Sequence, residues 1–187
     1  DVNVILDLMI HDIDIINALV KDDAKFIDAV GGSIIGDKED LANVRIVFNN
    51  NCVANITANR VDLNMRRDLK IFAKDAYIEI DYAKKKGKIY KKNPEIPKSE
   101  KLDLQTKQPE QFANLTFEEM FYGKMLCEQA IEIEEREPLN LQLDSFITAI
   151  KNDENPLVSG VDGMKALQIA QDITLSMQQK SKSFGLV

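Results

Sequence analysis

The residues best suited to chemistry in this sequence are an aspartate and the only histidine, which lie close together near its start. His11 follows Asp7 by four positions and precedes Asp14 by three, so a helix would carry all three side chains on one face. A carboxylate one helical turn from an imidazole can orient the ring and stabilise its protonated form. Such an imidazole is suited to take the proton of a hydroxyl group as a general base, which lets the carbinol carbon release hydride.

On spacing alone, this helical face is also compatible with two roles that involve no acid–base catalysis. The more usual one is a polar helix surface with local ion pairs. The second is a metal site, although three ligands on one helix are too few and too cramped, so we expect no metal. The two cysteines, Cys52 and Cys127, have no paired spacing and favour reduced thiols over a disulfide framework or a zinc site.

The overall composition indicates a globular domain and argues against two classes of partner. The chain has 187 residues, of which 44% are hydrophobic and 29% charged, with a net charge of −7. A negative protein is poorly suited to bind nucleic acid or an anionic membrane. No apolar run reaches the ~20 residues of a membrane span and no signal peptide is evident, so we expect a cytoplasmic protein. Asp1 stands where an initiator Met would, from which we expect a longer natural protein; a processed terminus is the alternative.

The periodicity of the apolar residues predicts a helix, then strands, then two helices. Residues 4–20 repeat near the helical period, and roughly six strands with short turns follow. The predicted strands cover residues 26–35, 44–48, 53–61, 69–73, 76–82 and 88–91, with a bulge or bend at Gly31–Gly32 and turns at 49–51 and 74–75. A loop over 93–115, a short helix over 116–127, a strand over 130–134 and helices from Pro138 and after Gly163 complete the chain.

This order predicts an α+β fold, in which an open, mostly antiparallel sheet has helices packed on one face. We interpret residues 1–187 as a single domain. The strands carry apolar residues at both odd and even positions, which point to opposite faces; Ile46, Phe48, Val53 and Ile56 are among them. This predicts that the other face is covered as well. We therefore expect that face of the sheet to be used for oligomerisation.

Five segments, in order along nearly the whole chain, resemble the motifs of one oxidoreductase family. They are Asp7–Asp14 (D-x-x-x-H-x-x-D), Asp40–Asn51 (D-x-A-x-x-x-x-x-F-x-x-G, with Asn51 in place of Gly), Tyr77–Asp81, Glu137–Phe146 (E-P-L-x-x-x-x-x-x-F) and Asn155–Gly163 (P-x-V-S-G-x-D-G). Each motif is weak alone, but the ordered set is specific. The chain resembles the C-terminal domain of the glucose–fructose oxidoreductase/inositol dehydrogenase/MocA (Gfo/Idh/MocA) family, and most closely its members that act on nucleotide-linked amino sugars.

The resemblance implies a reaction and a set of site residues. The family oxidises a secondary hydroxyl of a sugar or nucleotide-linked sugar with NAD or NADP. His11 would then be the catalytic acid/base, Asp7 the residue that orients it or contacts the substrate, and Asp14 a structural residue. Arg60 or Arg66 would pair with a phosphate or carboxylate of the substrate, because guanidinium groups suit such anions. A surface salt bridge is the alternative for either arginine.

The resemblance also implies an assembly and a missing domain. The sheets of two subunits pack face to face in the family, as homodimers or homotetramers, and the domain is similar to the C-terminal domain of glyceraldehyde-3-phosphate dehydrogenase. An N-terminal Rossmann domain holds the NAD or NADP and supplies a lysine from an E-K-P motif. Neither that motif nor a G-x-G-x-x-G fingerprint occurs here. We therefore expect the chain alone to be inactive; a non-enzymatic binding or assembly domain remains the alternative.

Overall fold

The computed structural model describes residues 2–94, 126–133 and 136–184, which fold into two compact units. The first unit combines Asp1–Leu63 with Pro138–Val187, and the second is Asn64–Glu137. The predicted loop over 93–115 and the predicted helix over 116–127 lie almost wholly outside the described residues. Residues 126 and 127 are described, and they belong to a strand rather than to the predicted helix.

The first unit begins with one continuous helical segment, as the periodicity of its apolar residues predicts. A π-helical turn over Ile5–Met9 leads directly into α1 (Ile10–Val20). The helix ends at Lys21, whose φ of 53° is left-handed, a conformation that commonly terminates helices. The C-terminal helices α2 (Pro138–Asn152) and α3 (Gly160–Phe184) begin within a turn of their predicted starts.

Three antiparallel strands form the sheet of the first unit. Their order is β1 (Ala24–Gly32), β2 (Leu41–Phe48) and β3 (Val53–Asn59). The predicted turn at residues 49–51 joins β2 to β3, and Asn51 has a φ of 65° there. Asparagine tolerates that conformation better than most residues do. The antiparallel pairing predicted from the short turns is therefore confirmed for these strands.

One face of this sheet forms the core of the first unit together with the first helix and α3. Its cross-strand rows are Ile27–Ile46–Ala54, Ala29–Val44–Ile56 and Gly31–Ala42–Ala58. Phe48 from the sheet and Ile173 from α3 are fully buried in the same cluster. Burying side chains of this size contributes about 1.5–3 kcal/mol each, so this cluster supplies much of the stability of the unit.

The opposite face of the same sheet is mainly polar, which corrects the prediction of two apolar faces. Ile46, Phe48 and Ile56 all lie on the buried face, and of the four residues cited only Val53 lies on the other. The rows of the outer face are Phe26–Val47–Val53, Asp28–Arg45–Asn55 and Val30–Asn43–Thr57. One apolar row is weak support for a covered face, so oligomerisation through the sheet stays a prediction.

Helix α3 covers the open edge of β1. The Ala29 N–H donates to Ser176 Oγ at 3.2 Å, and Lys180 forms an ion pair with Asp28. An edge strand that is covered by a helix offers little to pair with a further strand. The sheet of the first unit is therefore protected on this side.

Gly31 and Gly32 do not form the predicted bulge. Both continue the regular pairing with β2, and the register of β1 shifts near its first residues instead. A Cβ at Gly31 would lie 2.5 Å from the carbonyl oxygen of Leu41 and would collide with the Met177 side chain of α3. Glycine is needed at this position because helix and neighbouring strand approach it closely.

The second unit is a four-stranded antiparallel sheet, separate from that of the first. Its strands, in order, are β4 (Asp68–Phe72), β5 (Ala76–Asp81), β6 (Lys86–Lys92) and β7 (Leu126–Ile131). Tyr77 stacks on Phe72 and Tyr90, with ring centroids 4.8 and 5.7 Å apart. The sequence predicted the first three strands closely, whereas β7 begins earlier than the predicted strand over 130–134.

Helix α2 differs from the other helices because its apolar side chains face solvent. Ala149 is its one buried residue. Leu139, Leu143, Phe146 and Ile150 are each more than half exposed. The sequence predicted the helix and its start at Pro138, but its apolar stripe does not contribute to the core.

Asp40 closes the loop that leads from β1 to β2. Its side chain is 6% exposed, and its Oδ2 accepts the N–H groups of Ile34 and Ile35 at 2.9 and 2.7 Å. These backbone hydrogen bonds lower the pKa of Asp40 below its usual value. Its backbone N–H also donates to the Gly32 carbonyl at 2.9 Å, and its own carbonyl accepts from the Arg60 N–H at 2.9 Å. Asp40 therefore joins this loop to the end of β3.

Replacing Gly31 by alanine is expected to destabilise the first unit by about 1–3 kcal/mol, the usual cost of overpacking a filled site. The added methyl group meets the Leu41 carbonyl, which cannot move away without breaking the pairing of β1 and β2. Gly32→Ala is the matched control, since a Cβ there meets nothing within 4 Å. Urea unfolding of both variants measures their free energies of unfolding. Equal values would contradict the close approach at Gly31.

Replacing Asp40 by asparagine is expected to lower stability at neutral pH and to make it less sensitive to acid. Because folding lowers the pKa of Asp40, its contribution is present above the unfolded-state pKa and is lost as pH falls through the folded-state value. The stability difference between wild type and D40N should thus shrink below about pH 4. Asp37→Asn, in the same loop and exposed, is the control. A difference independent of pH would contradict this role of the carboxylate.

Candidate active site

Burial of one stripe of the first helix decides which of its side chains face solvent. Ile5, Met9 and Ile13 are fully buried in the core cluster of the first unit. At the helical repeat of about 3.6 residues, His11 falls on the opposite side. His11 and Asp7 are exposed, and Asp14 is half-buried. The imidazole is therefore accessible to a substrate rather than packed in the interior.

The spacing of Asp7 and His11 does not produce a direct contact in this structure. Asp7 lies in the π-helical turn, and His11 lies in α1. Across residues 2–94, 126–133 and 136–184, no hydrogen bond or ion pair joins His11 to Asp7 or Asp14. π-Helical turns occur often at functional sites, and this one carries the Asp7 carboxylate on the same exposed face of the helical segment as His11.

The partner of Asp7 is an arginine from the sheet. Arg60 follows β3, and its Nη2 donates to Asp7 Oδ2 at 2.7 Å and to the Val2 carbonyl at 2.9 Å. The two side chains of this ion pair are 27% and 48% exposed, respectively. The sequence predicted separate roles for these residues, Asp7 as a partner of His11 and Arg60 as a ligand of the substrate. The structure instead brings the two side chains together.

The position of Arg60 is fixed through the backbone as well. Its N–H donates to the Asp40 carbonyl at 2.9 Å, and the neighbouring Glu39 carbonyl accepts from the Val4 N–H at 2.9 Å. The loop closed by Asp40 therefore contacts both the end of β3 and the start of the first helix. The sequence marks Asp40 only as part of a motif. Its place directly before β2 was the available signal for its anchoring role.

Arg66 belongs to the second unit, whereas His11 belongs to the first. It lines an open depression of about 370 Å³ on the sheet of that unit, with Arg67, Lys70 and Lys84. Two of these four cations form ion pairs. Lys84 pairs with Asp81 at 2.9 Å and lowers the pKa of that carboxyl group. Lys70 lies 3.5 Å from Glu79. The depression is therefore nearly neutral in charge.

The described part of the chain contains no evident metal site. No cluster of three or more His, Cys, Asp or Glu side chains there is arranged to hold a metal ion. Cys52 and Cys127 are free and exposed. None of the helices in the described ranges has the length and hydropathy of a membrane span.

Comparison with known proteins identifies a relative that aligns with nearly the whole chain. No protein-family model matches the sequence. UDP-N-acetylglucosamine 3-dehydrogenase of Acidithiobacillus ferrooxidans is 26% identical over 182 residues, which cover 95% of this chain and 50% of that protein. The chain thus spans about half the length of the curated relative it matches.

Solved structures show the same relationship. A structure of UDP-N-acetylglucosamine 3-dehydrogenase from Acidithiobacillus ferrooxidans has a TM-score of 0.77 at 26% identity and covers 96% of this chain and 50% of its own. The WlbA dehydrogenase of Bordetella pertussis, solved with NADH and UDP-GlcNAcA, has a TM-score of 0.61 at 14% identity over 96% of this chain and 44% of its own. The second likeness shows the fold alone. The chain is homologous to UDP-N-acetylglucosamine 3-dehydrogenase and has the α+β fold of oxidoreductase C-terminal domains.

Proposed function

We propose that this chain is the substrate-binding half of a Gfo/Idh/MocA-type dehydrogenase that oxidises a secondary hydroxyl of a nucleotide-linked sugar. The observation that carries the proposal is the alignment of 95% of the chain with a UDP-N-acetylglucosamine 3-dehydrogenase. The exposed face of the first helix adds a chemical argument, since it presents an imidazole and a carboxylate to solvent. Together they favour an alcohol oxidation over a purely structural role.

His11 is the proton acceptor in this proposal. Its exposed side chain can approach a sugar hydroxyl directly, and an imidazole nitrogen can accept the hydroxyl proton. As the O–H proton passes to the imidazole, the carbinol carbon becomes a carbonyl and its hydrogen leaves as hydride. Each alcohol thus gives one ketone, one proton and one hydride, so the only further reactant needed is the hydride acceptor.

The carboxylates beside His11 have supporting roles. Asp7 lies in the adjoining helical turn and is held by Arg60 through its Oδ2, at 2.7 Å. Asp14 is half-buried on α1, which suits a structural residue better than a ligand of the substrate. Arg66, in the second unit, remains a candidate for binding a phosphate of the substrate.

We expect no dinucleotide site among the described residues of this chain. Gly31 and Gly32 continue a strand, where a pyrophosphate cradle needs a turn leading into a helix. At the start of α3, Asp162 accepts hydrogen bonds from Ser159, so a carboxylate already occupies the N-terminal turn beside Gly160. NAD or NADP, which supplies the hydride acceptor, is therefore assigned to a nucleotide-binding domain outside this sequence. We also propose that the complete protein forms a homodimer or homotetramer and is cytoplasmic.

Replacing His11 by asparagine in the complete natural protein should lower kcat by ~10²–10⁴-fold, the scale of a lost general base. The side chain is exposed, so the variant should fold as well as wild type. Leu19→Gln, at another exposed position of α1, is the matched control and should keep normal turnover. Near-normal turnover of H11N would remove His11 from the proposed role.

The 187-residue chain alone should bind neither NAD nor NADP and should have no dehydrogenase activity. The reason is that the sequence lacks the G-x-G-x-x-G fingerprint of the pyrophosphate cradle, which contributes much of dinucleotide affinity. Isothermal titration calorimetry with each dinucleotide measures this, with the complete natural protein as the positive control. Micromolar binding to the isolated chain would contradict the assignment of the cofactor to another domain.

A further inference from the structure

Arg60 connects three segments of the first unit that are distant in sequence. Its backbone N–H donates to the Asp40 carbonyl at 2.9 Å. Its Nη2 donates to the Val2 carbonyl at 2.9 Å and to Asp7 Oδ2 at 2.7 Å. The guanidinium group thus lies between the end of β3 and the helix that carries His11.

The contacts of Arg60 disfavour a role in binding the substrate. Both N–H groups of Nη2 are engaged, by Asp7 Oδ2 and by the Val2 carbonyl, so a phosphate would find only Nη1 and Nε of the guanidinium group. The side chain is 27% exposed, against 48% for Asp7, so the carboxylate is the more accessible member of the pair. A substrate approaching this surface reaches Asp7 more readily than it reaches Arg60.

We propose that Arg60 is a positioning residue, which fixes the carboxylate of Asp7 on the exposed helix face that also carries His11 and does not bind the phosphate of the substrate. The inference rests on the proposed function and deepens it. Arg60 engages Oδ2 of Asp7, and the structure shows no hydrogen bond to Oδ1 from any described residue. Oδ1 is the atom that remains to accept a hydroxyl of the sugar.

This role has a kinetic signature that separates it from phosphate binding. Loss of a positioning contact misplaces a reacting group and lowers kcat, by about 10- to 100-fold for displacements near 1 Å. Loss of a phosphate contact weakens substrate binding and raises KM instead. An exposed ion pair contributes little to stability, so R60Q should unfold nearly as wild type does.

The test is a double-mutant cycle in the complete natural protein, with steady-state kinetics on a UDP-linked sugar. R60Q and D7N should each lower kcat with a change in KM of less than about threefold. The double variant should be no slower than D7N alone, because Arg60 acts through Asp7. R60K, which keeps the charge but loses the planar fork, should restore part of the lost kcat.

Two controls make the outcome specific. Arg45→Gln removes another arginine of the same sheet, whose Nη1 donates to Asn55 Oδ1 at 3.1 Å, and should leave both kinetic constants unchanged. Independent of activity, the guanidinium NMR signals of Arg60 should shift in D7N but not in D14N.

Additive losses in the cycle, or an R60Q variant with raised KM and normal kcat, would overturn the positioning role. Arg60 guanidinium signals that do not shift in D7N would overturn it as well. The proposed function would instead be refuted if the complete protein had no nicotinamide-linked activity. If the Arg60 signals still shifted in D7N, the Asp7–Arg60 contact would remain established.

Discussion

The candidate site depends on the packing of the first helix against the inner face of the three-stranded sheet. Ile5, Met9 and Ile13 have no exposed surface, and each such side chain contributes about 1.5–3 kcal/mol when buried. A helix has only one orientation that buries this stripe, so the position of His11 on the outside follows from its apolar neighbours. The chemistry proposed for the imidazole is thus a consequence of how the core is filled.

A second constraint sets the position of the carboxylate. Asp40 holds the loop between β1 and β2 through two backbone N–H groups, and its carbonyl receives the N–H of Arg60. Arg60 in turn holds Asp7. A buried aspartate in a loop therefore influences the geometry of the surface that we assign to catalysis.

Local patterns in the sequence were enough to predict the helices, most of the strands and the placement of His11 on the first helix. The apolar period near residues 4–20 predicted that helix, and Asn51 marked the turn between β2 and β3. The partner of Asp7 was not predictable in this way, because Arg60 lies 53 residues further along the chain. Gly31 was mistaken for a bulge, since only the folded chain shows that Met177 and the Leu41 carbonyl approach it.

Alternation of residue types also has limits as a guide to which face is buried. The sequence predicted two apolar faces partly from Ile46, Phe48 and Ile56, but the antiparallel pairing places all three on the same face. The division of the strands into two sheets could not be read from their spacing, because register between distant strands is set by tertiary packing.

The most direct test of the central claim is to mix the complete natural protein with NAD or NADP and a UDP-linked N-acetylated amino sugar, and to follow formation of the reduced nicotinamide and the keto sugar. The proposed function predicts that both products form in equal amounts. Binding of the cofactor and the sugar without formation of either product would contradict it.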